Sequence, residues 1–206
     1  MKNFILLFFL LSFCSIQAQN LFQLKTGRTF STFSYRDSEN SKDETLQYNT
    51  NPLFGFSYET SLGKLHIIRP ELIYREAGAH SIFNQQKINW NLKYLDLNAA
   101  YLLKIVELEK LLVFQGIAGS VGYLLDGEQS IGTQYFNLKN EKRLKTIDLG
   151  VQFLAGTKIK VFENCFINIE YRYGLGIHQI ENNQNQTQQS SRNRYHGIVS
   201  GICFPL

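Results

Sequence analysis

Ten ionisable side chains stand out: Glu59, Arg69, Glu71, Arg75, Asp96, Lys104, Asp148, Lys158, Glu170 and Arg172. Each lies in a segment where large apolar residues alternate with small or polar ones. Acids and bases are present in equal number. An arginine fork matches both oxygens of a carboxylate, so such groups brought together would form charge-assisted pairs of defined geometry. Left unpaired in an interior, each ion would carry several kcal/mol of desolvation cost. The chemistry these residues predict is a neutralising ion network rather than turnover.

Other reactive residue types lack a matching pattern. The four histidines, His66, His80, His178 and His196, show no ligand spacing such as H-x-x-x-H. His178 is predicted to point inward with Arg172, whereas His196 follows the apolar face, so no metal centre is expected. Neither G-x-S-x-G nor a Gly-rich phosphate loop occurs. No catalytic residue and no cofactor is therefore assigned, and the chain is not expected to be an enzyme. A formal net charge of +4 is too mild to argue for nucleic acid.

The elements that would position the ten charges are strands. In Phe166 to Ile177, Ile167, Ile169, Tyr171, Tyr173, Leu175 and Ile177 alternate with Asn168, Glu170, Arg172, Gly174 and Gly176. A strand sends successive side chains to opposite faces, so one face is apolar and the other polar or small. The same alternation predicts strands near 22–36, 53–62, 65–78, 88–104, 111–125, 145–159, 165–178 and 194–206. Aromatic content of 14% and only three prolines suit this composition. Many of the segments exceed the ~9–11 residues that a tilted strand needs to cross a bilayer.

The connections alternate in length. Short ones fall near Leu62-Gly63-Lys64, Ile105 to Lys110 and Lys160 to Asn164. Long polar ones fall at 37–52, 79–87, 126–144 and 179–193. Short periplasmic turns and longer outside loops characterise outer-membrane barrels. A soluble barrel is polar outside and apolar inside. Here the charged face is better explained as a lumen, with lipid covering the apolar face. The expected fold is an all-β, antiparallel, transmembrane up-and-down barrel of about eight strands. Arg28 conflicts with this pattern, since it shares the apolar face of Leu24 and Phe30; a bulge after Gly27 or snorkelling toward headgroups would relieve it.

The N-terminus fits export. Lys2, the apolar run Phe4 to Phe13 and the small Ala18 resemble a secretory signal peptide over residues 1–18, leaving 19–206 as the barrel domain. Cys14 follows Phe13 where a lipoprotein would need a small residue. Cys165 and Cys203 then remain in an oxidising compartment. Both fall near periplasmic ends of the last two strands, which favours a bridge. Their opposite parity opposes one, and two free thiols are expected. The Asn/Gln-rich stretch Asn182 to Gln189 is predicted to be a flexible outer loop. The Asn185-Gln186-Thr187 sequon within it carries little meaning in a bacterial setting.

Several segments resemble the small PorT-like outer-membrane β-barrel proteins. Pro70-Glu71-Leu72-Ile73-Tyr74 resembles their P-E-L-x-Y third strand, and Tyr94-Leu95-Asp96-Leu97 the strand after it. Tyr171-Arg172-Tyr173-Gly174-Leu175 resembles their penultimate strand, with a shorter Arg-to-Gly spacing. Leu24-Lys25-Thr26-Gly27 resembles the opening strand and Gly201 to Leu206 the closing one. Asn98 stands where a proline is common, and the chain ends in Leu206 after Phe204. The resemblance implies a bacterial outer-membrane location and contact with outer-membrane lipid. With no chemistry-bearing motif, a monomer with a structural or interaction role among other envelope proteins is expected, and the resemblance implies one accessory to envelope assembly or protein secretion. The alternative is a narrow channel or small-ligand transport barrel.

Overall fold

A computed structural model describes residues 20–36, 45–83, 85–182 and 190–206. The segment 1–18, expected to be a signal peptide, and most of the stretch Asn182 to Gln189, expected to be a flexible loop, lie outside these residues. Among the described residues there are nine strands: β1 (Asn20–Arg36), β2 (Gln47–Leu62), β3 (His66–Phe83), β4 (Gln86–Glu107), β5 (Leu111–Ile131), β6 (Gln134–Asn137), β7 (Ile147–Phe162), β8 (Cys165–Gly176) and β9 (Ser190–Pro205). No helix occurs among the described residues.

Every strand pairs antiparallel with its neighbour, and β1 pairs with β9 to close the ring. Eight strands make the barrel. The ninth, β6, pairs only with the end of β5 and forms a hairpin above the rim. Closure leaves no barrel edge, so the backbone groups of the wall are satisfied without water.

The alternation sorts side chains as the sequence implies. Leu97 and Ile198 are each 60% exposed on the outer wall, whereas Arg69 and Glu170 are fully buried inside. This polarity is inverted relative to a soluble barrel. Phe54, Phe56, Ile117, Val121, Phe153 and Ile169 continue the exposed apolar surface.

The strand ends differ from the sequence pattern. β3 and β4 run on to Phe83 and from Gln86, so the segment 79–87 is a tight hairpin, not a long loop. Gln85 turns it with a left-handed φ of 64°. Likewise β5 extends to Ile131 and pairs with β6 inside the expected loop 126–144, and β2 begins at Gln47 and β9 at Ser190. These extensions stand above the apolar zone, where both sheet faces can be polar and alternation disappears while the ladder continues. β4, at 22 residues, is about twice the length that a membrane crossing requires. β8 ends at Gly176, so His178 lies beyond the strand and is exposed instead of pointing inward. β1 pairs without a register shift on both sides, so no bulge at Gly27 turns Arg28 away from the outer wall.

Candidate functional site: the charged lumen

Inward positions of five strands bring nine of the ten predicted charges together. Glu59 comes from β2; Arg69, Glu71 and Arg75 from β3; and Asp96 from β4. Asp148 and Lys158 come from β7, and Glu170 and Arg172 from β8. All nine are buried. Lys25 of β1 is a tenth buried ion that the charged-face pattern did not single out. The predicted Lys104 does not join them: it lies near the turn-end mouth and pairs with the exposed Glu107 at 2.9 Å.

The centre is built around two carboxylates. Glu71 accepts from Arg172 through both oxygens, with Nη1 to Oε2 and Nη2 to Oε1 at 2.8 Å each. It also contacts Lys25 and lies 2.9 Å from Arg69 Nε. Asn98 Nδ2 donates to it at 3.3 Å. Glu170 accepts from Arg69 Nη2 and Arg172 Nε at 2.5 Å each. Three cations and two anions from β1, β3 and β8 therefore interlock across the barrel axis. Gln152 extends the web, donating to Asn98 at 3.1 Å.

Two flanking groups complete the network. Toward the turn end, Lys158 pairs with Glu59, and the Phe114 ring lies 5.4 Å from Lys158 and 5.6 Å from Arg69. Toward the long-loop end, Arg75 pairs with Asp96 at 2.6 Å and lies 3.7 Å from Asp148. The rings of Tyr94 and Tyr195 sit at 4.9 and 4.8 Å from its guanidinium. Asn193 Nδ2 donates to Asp148 at 2.8 Å. Five buried cations face five buried anions among the described residues, so the lumen is formally neutral.

An apolar layer closes the long-loop end, and a second apolar cluster flanks the charges. Ile67, Leu102, Phe114 and Leu154 make up the flanking cluster. Phe33, Leu92, Leu124, Leu138 and Ile180 pack above them. In the upper layer the segment 177–182 crosses the mouth. Ile180 N donates to Ser191 O at 2.9 Å, and Lys145 N donates to Ile180 O at 2.7 Å. Burial in this cap raises the Glu181 carboxyl above the ordinary carboxylate value. A cavity of about 220 Å³ remains at the turn end, bordered by Glu59, Lys104, Glu107 and Lys158.

The histidines are scattered. His66 Nδ1 lies 2.6 Å from the Tyr101 hydroxyl, and His80 Nδ1 lies 2.7 Å from Asn49 Oδ1. His196 stacks on Phe30 on the outer wall. Cys203 is buried in the lumen, Cys165 is partly exposed at the start of β8, and both are free thiols.

The tyrosines that sandwich Arg75 escaped the sequence pattern, because aromatics were assigned to the lipid face. Parity within β4 carried the signal, since Tyr94 alternates with Leu95 and shares the face of Asp96.

No protein-family model matches the chain, and no curated protein matches it in sequence. Among solved structures it is similar to Neisserial surface protein A, at 12% identity and a TM-score of 0.52 over 90% of this chain and 97% of that one. It is also similar to the outer membrane protein OprG from Pseudomonas aeruginosa, at 10% identity and 0.47 over 92% and 97%. A third neighbour is Ail, the attachment invasion locus protein of Yersinia pestis, at 12% and 0.44 over 90% and 99%. At such identities the likeness is one of fold: the chain is a closed, antiparallel, eight-stranded β-barrel with an apolar outer wall and a charged interior.

Proposed function

We propose that the protein is a bacterial outer-membrane barrel with a plugged lumen, acting as a structural or interaction element of the envelope. The observation that carries this reading is the buried, neutral ten-ion network, capped by an apolar layer at the long-loop end. An interior only wide enough to be filled by side chains suits no general diffusion pore. Function then falls to the surfaces outside the lumen: the β3–β4 hairpin, the β5–β6 hairpin and the outer loops. The resemblance of Pro70 to Tyr74 and Tyr171 to Leu175 to PorT-like barrels supports an accessory role in envelope assembly or secretion.

Planar-bilayer recording of the folded, purified protein tests the plug. Silence is expected, and stable conductance at porin-like levels would replace this reading with the channel alternative. Trypsin on intact cells tests location and topology. Cutting is expected in 138–146, which holds Lys139, Lys142 and Arg143, and not at the turn residue Lys110. Recovery of the whole protein in a soluble fraction would end the membrane assignment.

A further inference from the structure

The outer wall is not uniform, and its asymmetry points to a lipid. On β9 and β1 the outward positions climb in register: Ile198 beside Arg28, His196 beside Phe30, Arg194 beside Thr32, and Arg192 beside Ser34. Arg28 and Arg192 are exposed and Arg194 is half-buried. None of the three has a carboxylate partner among the described residues, and Arg194 Nε is buried without a hydrogen bond. From β8 through β9 and β1 to β2, no outward position of the described strands carries Asp or Glu. The opposite wall differs, because there Lys93 is paired with Asp126 at 3.1 Å.

Aromatic rings lie between these arginines. His196 stacks on Phe30 at 5.4 Å and meets Tyr48 at 5.2 Å and Tyr171 at 6.4 Å. Arg194 sits 5.7 Å from the Tyr173 ring. Aromatic girdles mark the water–lipid boundary of transmembrane barrels. Arg28 lies one pleat on the membrane side of this girdle, at a position where an unpaired cation is costly unless its head reaches a counter-ion. Beside it Ile198, and below it Leu24, Phe54 and Ile202, offer an exposed apolar strip. Guanidinium groups bind phosphate bidentately and tolerate partial desolvation better than ammonium groups.

We propose that the β9–β1 wall is a binding site for a phosphorylated outer-leaflet glycolipid. Arg28, Arg192 and Arg194 hold its phosphates, and its acyl chains lie on the strip below. The proposal rests on the membrane reading above and specifies one lipid contact of that barrel.

Native mass spectrometry of the folded protein in detergent tests it, with diphosphoryl lipid A as probe and phosphatidylcholine and inorganic phosphate as comparators. Wild type is expected to retain diphosphoryl lipid A and neither comparator. The variant R28Q/R192Q/R194Q is expected to lose about ten-fold or more in retained lipid, the equivalent of a single strong contact. K93Q on the opposite wall is expected to match wild type. Equal retention by the triple variant and wild type would overturn the site, as would equal retention of phosphatidylcholine. Binding of inorganic phosphate alone would also overturn it, in favour of a simple anion site. The heat-dependent gel shift of the same samples separates the two levels. A shift with unchanged lipid binding removes only this inference, whereas absence of a shift in wild type removes the barrel reading and the site with it.

Discussion

Arg172 and Glu71 meet fork to fork across the barrel axis, both N–O distances 2.8 Å, from positions 101 residues apart in sequence. Glu71 also neutralises Lys25 and Arg69. It is therefore the anion whose loss strands the most buried charge.

Substitution of Glu71 by Gln is expected to destabilise the barrel by roughly 3–5 kcal/mol, the range for breaking a buried pair from one side. R172M alone should cost a comparable amount. The double variant E71M/R172M should cost less than the two singles added together. Urea unfolding followed by tryptophan fluorescence measures all three, and additive losses would show that the two groups do not act as a pair.

Gly174 is held by Tyr195. A Cβ at residue 174 would lie 2.2 Å from the Tyr195 ring, which itself covers Arg75. G174A is expected to cost about 1–3 kcal/mol through overpacking. Shortening the opposing side chain in G174A/Y195L should recover part of that loss. A neutral G174A would mean that the ring has room to move.

The two thiols should differ in reactivity. Maleimide is expected to label Cys165 in the folded protein and to label Cys203 only after denaturation. The denatured, unreduced chain should take up two labels after signal removal. A count of zero would establish a bridge that the present arrangement lacks.

The outer cap should respond to pH through Glu181. Its carboxyl is raised by burial, so the folded cap favours the protonated form. Cap stability is then full below the ordinary carboxylate value and declines as pH rises through the raised one. Trypsin cleavage at Lys139 to Arg143 should accordingly be faster at pH 7 than at pH 5, after correction for enzyme activity on an unfolded control. E181Q should remove the difference. An unchanged ratio in E181Q would assign the pH response elsewhere.

Much of this architecture was legible because an apolar outer wall and a charged lumen impose opposite demands on successive residues. Leu95, Leu97 and Tyr101 against Asp96 and Asn98 fix both faces of β4 without any tertiary information. The same rule contained Lys25, which alternates with Leu24 and Thr26. Its place in the network was missed because one charge among small polar residues makes no visible stripe. The hairpin around Gln85 was illegible for a different reason. Residues such as His80, Ser81, Lys87 and Asn89 sit above the apolar zone, so their ladder needs no alternation to be stable. Lys104 shows the limit of parity, which assigns a face but not a depth.

The cross-barrel ion pairs also act as a check on strand alignment. A slip of one residue turns every side chain to the wrong face and is excluded by burial alone. A slip of two preserves inside and outside, and hydrophobicity scarcely penalises it. Sliding β8 by two residues against its neighbours would carry Glu170 to the level of Arg172 or Asn168. Arg69 would then face a cation or an amide in place of its carboxylate. The charges thus discriminate among alignments that the apolar outer surface cannot tell apart, and they do so between strands that are not neighbours.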